Sequence, residues 1–322
     1  MKTLKFFQSA SNLLASYTSP VIVGVAAITF VFPDLFCWVK GDIQTLVLGI
    51  IMLTMGMTLS PDDLKILIRR PWDIFIGAVA QYTLMPLIAW VMVKIMNLPP
   101  GIAAGLLLVG CCPGGVSSNI ITFLSRGDVA FSVGMTTAST LLAPVMTPIL
   151  MLYLAGDKID IDGMAMFKSI LIVTLLPVAI GAAGNFFWGK KALYTEVCKT
   201  MPGISVIAFA CIVGGVITFN GKHFFDSGLL NFAAILLHNL LGYITGYAVG
   251  VLAKMSKAQK RTISIEVGMQ NAGLATNLAM RHFAAAPEAA LAAAVSCVWH
   301  SISGTILAGF FRWLDKRAGQ KK

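Results

Sequence analysis

Apolar runs of about twenty residues, divided by short polar breaks, fill the chain: 14–36, 43–59, 72–96, 101–124, 128–155, 163–188, 203–220, 228–253, 262–283 and 287–311. A bilayer core about 30 Å thick needs roughly 20 helical residues at about 1.5 Å each. The pattern therefore predicts an all-α polytopic membrane protein with ten transmembrane helices. Several breaks carry turn chemistry, namely Ser60-Pro61-Asp62-Asp63, Asn97-Leu98-Pro99-Pro100, Gly156-Asp157 and Asn220-Gly221. Loops this short leave no separate soluble domain, so residues 1–322 read as one transmembrane unit.

Composition agrees. Of 322 residues, 57% are hydrophobic and 12% charged, against about 25% charged in soluble proteins. A net charge of +10 would suggest an acidic partner in a soluble chain, but here the distribution decides, because basic loops stay on the cytoplasmic side. With the N-terminus inside, only Lys40, Lys94, Lys158, Lys168, Lys222 and Arg281 of the 24 basic residues fall on or near the outer side. This predicts both termini in the cytoplasm and no nucleic-acid partner; no obligate protein partner is evident. The basic C-terminal tail meets anionic lipid headgroups. The N-terminal stretch flows into the first span without a cleavage site and is expected to be retained. Six Cys without paired spacing and 16 scattered Met read as packing residues.

Two spans are interrupted by polar and helix-breaking residues, Val109-Gly110-Cys111-Cys112-Pro113-Gly114-Gly115-Val116-Ser117-Ser118-Asn119 and Val267-Gly268-Met269-Gln270-Asn271-Ala272-Gly273-Leu274-Ala275-Thr276-Asn277. They align at an offset of 158: Val109 with Val267, Gly110 with Gly268, Gly115 with Gly273, Asn119 with Asn277, and Gln81 falls opposite Asn239. Span four thus maps onto span nine. Five helices per half is an odd number, so the halves, 1–156 and 157–322, lie in opposite orientations as a 5+5 inverted repeat. Matching interruptions in such halves point to a secondary transporter's midplane site. Pro113, Gly114, Gly115 and Gly273 are the expected helix breaks. The unwound carbonyls suit cations, and the freed helix N-termini suit an anion.

Glu266 stands about one turn into span nine. A carboxylate within a span is costly and marks function by default. No Lys or Arg near the midplane pairs with it, so a proton or a bound cation must. Ser118, Asn119, Gln81, Gln270, Ser132 and Thr136 offer neutral oxygens, Ser132 and Thr136 on one helix face. That set suits a hard cation; a protonated, hydrogen-bonded Glu266 is the other reading. His300 either faces a cavity or bonds a neighbouring helix, and the same two readings hold for His238-Asn239.

Cys111-Cys112-Pro113-Gly114-Gly115 with Ser118-Asn119, the segment Glu266-Val267-Gly268-Met269-Gln270-Asn271, and Trp299-His300 resemble the bile acid:sodium symporter family, a likeness that runs over nearly the whole chain. The resemblance implies a panel domain of helices one, two, six and seven, and a core domain of three, four, five, eight, nine and ten, with four and nine crossing at their unwound middles. It implies one Na+ held by Ser118, Asn119, Ser132, Thr136 and Glu266, and a second between Gln81, Glu266, Gln270 and the backbone carbonyls of Val267 and Met269. Substrate would sit near Val116, Asn271 and His300. Relatives often carry Thr where this chain has Val116, and a close bacterial relative has Asn where it has Ser301.

The chain is thus expected to be a multi-pass protein of the bacterial inner membrane, coupling inward Na+ flow to uptake of an organic anion, a bile acid or a smaller carboxylate, by alternating access. Two Na+ against one Glu266 carboxylate leave the site at net +1, which an anion neutralises. Proton coupling through Glu266 is the alternative, and an ion channel a further one. An enzyme is disfavoured, since neither a second carboxylate nor a Ser/His or metal-binding His cluster accompanies Glu266, and no phosphate-binding P-loop motif is present.

Overall fold

In long apolar runs the backbone has nothing but its own i→i−4 partners, and the chain is built of helices accordingly. The computed structural model describes residues 2–155, 161–226 and 228–319. The Gly156-Asp157 turn, and with it the boundary between the expected halves, lies outside them.

Among the described residues, seven helices are long and apolar enough to cross a membrane, or eight if a bent pair counts as one. That pair is α1 (Lys2–Ser16) and α2 (Thr18–Val31), bent by 79°. The first predicted span, 14–36, is therefore kinked near its start and closes in a 3-10 turn at Pro33–Phe36. Next come α3 (Gly41–Thr58), a short α4 (Pro61–Arg69) and α5 (Pro71–Ile95). The Ser60-Pro61-Asp62-Asp63 break is the start of α4 rather than a plain turn. Ser60 accepts from the Asp63 N–H and Asp63 returns the bond, with Pro61 in the first turn where its missing N–H costs nothing.

The chain continues through α6 (Pro100–Cys111), α7 (Ser117–Leu124), α8 (Val129–Ala155), α9 (Gly163–Ile170), a π turn at Leu171–Leu175 and α10 (Leu176–Trp188). Pro177 cannot donate to the preceding turn, and the helix widens just before it. Then come α11 (Ala192–Cys198), α12 (Met201–Asp226), α13 (Gly228–Leu252), α14 (Lys257–Gly268), α15 (Ala272–His282) and α16 (Pro287–Gly319). Asn220-Gly221 does not break the chain as expected, because α12 runs through it to Asp226. The pair disfavours helix by only about 1 kcal/mol, too little to stop a helix already propagating out of an apolar span.

α3 packs on α10 and α12, and α12 on α2; α6 packs on α5 and α16, and α14 on α13. Every residue of α6 from Ile102 to Cys111 is buried, as is every residue of α15 from Ala272 to Ala279. These two short helices are the centre of the molecule. Leu141, Leu142, Val145, Ile149 and Leu152 of α8 face outward instead, which suits lipid.

Candidate functional site

Both central helices start or stop at a break, and the two breaks pair with each other. Cys112–Val116 separates α6 from α7, and Met269–Asn271 separates α14 from α15. Gly114 and Gln270 form an antiparallel bridge: the Gly115 N–H donates to the Met269 carbonyl and the Asn271 N–H to the Pro113 carbonyl, both at 2.8 Å. Pro113 and Asn271 stand 158 residues apart, so residues at one offset meet at the crossing. Lacking an N–H, Pro113 cannot return the bond. A Cβ on Gly115 would come within 2.7 Å of the Gln270 carbonyl oxygen, and one on Gly114 within 3.0 Å of Glu266 Oε2. Glycine there permits the backbones to approach. Gly273 corrects the expectation: it lies inside α15, where a Cβ would make only ordinary contact at 3.5 Å with Phe209, and Asn271, accepting from the Leu274 N–H, starts the helix ahead of it.

Glu266 is buried at the end of α14. Its Oε1 meets the hydroxyls of Ser118 and Ser132, and its Oε2 that of Thr136 at 2.9 Å. Asn119 joins through Ser132, whose hydroxyl lies 2.8 Å from the Asn119 amide oxygen. The five residues of the first expected ion site therefore form one cluster. Each hydroxyl carries one proton, yet each faces at least two acceptors, Ser132 a third in the Thr122 hydroxyl oxygen at 3.3 Å. Ser118 also faces the Gly115 carbonyl at 2.6 Å, and Thr136 the Ser132 carbonyl at 3.1 Å. The cluster is rich in oxygen and short of protons.

The second expected set is only partly assembled. Gln81 Nε2 donates to Gln270 Oε1 at 2.5 Å and to the Cys112 carbonyl at 3.2 Å, and Gln270 Nε2 donates to the Val267 carbonyl at 2.6 Å. Gln81 Oε1 is buried with no partner among the described residues, a free oxygen beside the crossing. The Met269 carbonyl, however, accepts from Gly115, and no hydrogen bond joins Glu266 to either glutamine among the described residues.

A cavity of about 350 Å³ lies against the crossing, with Val116, Asn271 and His300 among its lining residues. The opposite wall comes from α3 and α12, including Thr54 and Ser205, whose hydroxyls are 2.5 Å apart. With its amide oxygen capping α15, Asn271 has its amide nitrogen left to offer. His300 is buried, and neither ring nitrogen has a well-aligned hydrogen-bond partner among the described residues. His238 instead bonds the Met85 carbonyl at 3.1 Å, and Asn239 the Gly268 carbonyl at 2.7 Å, each to a neighbouring helix.

Ser139 is a further site residue, accepting from the Gly114 N–H at 3.2 Å. Its signal is its spacing, since Ser132, Thr136 and Ser139 form one stripe at i, i+4 and i+7. Arg261 is another. It is buried on α14, and its guanidinium donates to Asp315 of α16 at 2.6 and 2.9 Å and to the Ser125 carbonyl closing α7 at 2.9 Å. Asp128, at the start of α8, donates its N–H to Thr262 of α14 at 2.8 Å. These contacts tie together the three elements that carry the Glu266 cluster. Outside the spans, the Asp128 carboxylate accepts from Arg70 and raises its pKa above the ordinary value.

Helices of membrane-spanning length around a paired, polar crossing define an integral membrane protein with a central polar site. The Sodium Bile acid symporter family model matches residues 45–227. The chain is 43% identical over 302 residues to the uncharacterized sodium-dependent transporter YocS of Bacillus subtilis, covering 93% of this chain and 92% of that one. It is 45% identical over 280 residues to the chloroplastic protein named "Probable sodium/metabolite cotransporter BASS1" of Arabidopsis thaliana, covering 87% and 69%. It is 32% identical over 247 residues to the sodium-dependent organic anion transporter of Bos taurus, covering 76% and 65%. The chain belongs to the sodium bile acid symporter family.

Proposed function

We propose that this protein is a secondary active symporter that couples inward Na+ flow to the uptake of an organic anion by alternating access. The observation that carries the reading is the proton shortage around Glu266. Three hydroxyls supply three protons to a cluster in which each meets at least two acceptor oxygens. A hard cation with oxygen ligands relieves that mismatch better than one added proton. Buried Arg261 does not neutralise Glu266, being engaged by Asp315. One Na+ then sits among Ser118, Asn119, Ser132, Thr136 and Glu266. A second takes the free Gln81 oxygen, with Glu266, Gln270 and the Val267 and Met269 carbonyls after local rearrangement.

With two Na+ bound the site carries net +1, and the α7 and α15 N-termini add positive potential. The anion occupies the cavity beside Val116, Asn271 and His300. Without Na+, the bare carboxylate repels it; this differential is the coupling. The family relation and the organic anion named for the Bos taurus relative support this substrate class, which includes bile acids and smaller carboxylates.

The chain crosses the bilayer ten times on this reading. The bent pair α1–α2 and the interrupted pairs α6–α7 and α14–α15 join the seven uninterrupted spans. Both termini lie in the cytoplasm, and the membrane is the bacterial inner membrane. Residues 1–156 and 157–322 are the inverted halves. The packing of α3 on α10 and α12, and of α12 on α2, supports one panel body against which the remaining spans move as a core. The test is uptake of taurocholate and of small monocarboxylates into proteoliposomes. Accumulation driven by an imposed Na+ gradient at fixed pH is expected for at least one of them; accumulation that tracks a pH gradient and ignores Na+ would favour proton coupling.

A further inference from the structure

Beyond the crossing, α15 closes against α3 and α9. Asn277 Nδ2 donates to Thr45 Oγ1 at 3.2 Å, and His282 Nε2 lies 2.9 Å from Ser169 Oγ. Thr45 is near the N-terminal end of α3, one turn before Leu48, where the cavity's lining on this helix begins before running on to Thr58 at the other end, so these bonds close off one end of the cavity. The seam around these bonds is apolar: Val47, Leu48, Ile170, Val173, Leu274 and Leu278 belong to one buried cluster. Yet Gln44 Nε2 and Asn277 Oδ1 are buried in it with no partner among the described residues, as is Thr174 Oγ1 in the π turn that packs on α3.

A contact built for stability alone pairs its buried polar atoms, because an unsatisfied one costs much of what burial gains. A contact that must part in each cycle has the opposite requirement. Its apolar area holds it shut, and its unpaired polar atoms regain water when it opens, which lowers the cost of opening.

The internal repeat argues the same point independently. Asn277 stands 158 residues after Asn119, and at the same offset α3 falls on α12. The two asparagines are in opposite situations: Asn119 lines the open cavity, which α12 and α3 wall on the far side, whereas Asn277 is docked directly on α3. Moving the site from one side to the other exchanges the roles of inverted halves, which releases Asn277 and docks Asn119. Resting on the alternating-access reading, we propose that Asn277–Thr45 and His282–Ser169 are the closing contacts of the outer gate, parted and remade once in every transport cycle, with Gln44 beside them easing the opening.

Two measurements test the gate, in a chain whose non-buried Cys37, Cys198 and Cys211 are replaced by Ser. In the first, Asn277→Cys is exposed in intact cells to a membrane-impermeant cationic thiosulfonate, which needs no substrate. Modification from outside is expected; a residue that stays unmodified in both Na+ and K+ media overturns the gate. In the second, Thr45→Cys/Asn277→Cys and Ser169→Cys/His282→Cys are bridged by a short bis-thiosulfonate, and uptake of taurocholate is compared before and after reduction in the same vesicles, under whichever ion gradient drives it. Bridging is expected to cut uptake at least tenfold, with recovery on reduction. Uptake above half its reduced value after complete bridging of either pair overturns the proposal. The dependence of the starting chain's uptake on Na+ judges the symport reading separately.

Discussion

Glu266 stands out in the sequence because so few charges stand in the spans, and the side chains that meet it were legible as polar residues in apolar sequence. The proton shortage around it was not, since it depends on which oxygens the fold brings together across 130 to 148 residues of chain. Glu266→Gln keeps the size but offers one oxygen and an unwanted donor in place of two acceptors. We expect Na+-dependent uptake to fall on the order of 100-fold, about 2.7 kcal/mol, read as initial rate against Na+ concentration. Glycines divide by what stands against them. Gly115→Ala would drive a methyl into the Gln270 backbone, 2.7 Å away, and backbone cannot swing aside as a side chain can. A loss of about 1–3 kcal/mol is expected, seen as a lowered Tm in detergent. Gly273→Ala meets only the Phe209 ring at 3.5 Å and should leave Tm at or above the wild-type value. Sequence symmetry had grouped these two glycines as equals; three-dimensional contact separates them.

At the scale of elements, the two interruptions and their offset could be read from the chain, because Pro113 and the paired glycines violate helix propensity at matching places. The kink between α1 and α2, the π turn before Pro177 and the passage of α12 through Asn220-Gly221 could not, since a single proline or a weak Asn-Gly pair in apolar sequence does not by itself say whether a helix ends, widens or runs on. The joint around Arg261 also escaped the sequence. Its partner Asp315 lies 54 residues away and reads in isolation as one of several tail charges. Asp315 also accepts from Lys257 at 2.6 Å, so it gathers the starts and ends of helices whose other ends form the Glu266 cluster. Asp315→Asn leaves Arg261 buried without a charged partner. We expect a stability loss of about 3 kcal/mol, measured as a drop in Tm, with a weaker apparent affinity for Na+ because α7 and α14 are no longer held in register.

For the whole molecule, the placement of the basic residues predicts a topology, while the packing of one group of helices on another required the structure. With both termini inside, a cysteine at Lys40 faces outward and one at Lys191 faces the cytoplasm. In intact cells an impermeant maleimide should label Lys40→Cys directly and Lys191→Cys only after permeabilisation; the reverse pattern would invert the topology. The proposed symport joins a carboxylate buried among too few protons, a cavity against the crossing and two positive helix ends in one site, where a cation completes the oxygen cluster and an anion sits beside it. Equilibrium binding of radioactive Na+ to the purified protein tests that claim most directly. Saturable binding is expected, tightening when a transported organic anion is added and weakening at least tenfold in Glu266→Ala. Na+ binding to Glu266→Ala indistinguishable from wild type would contradict it.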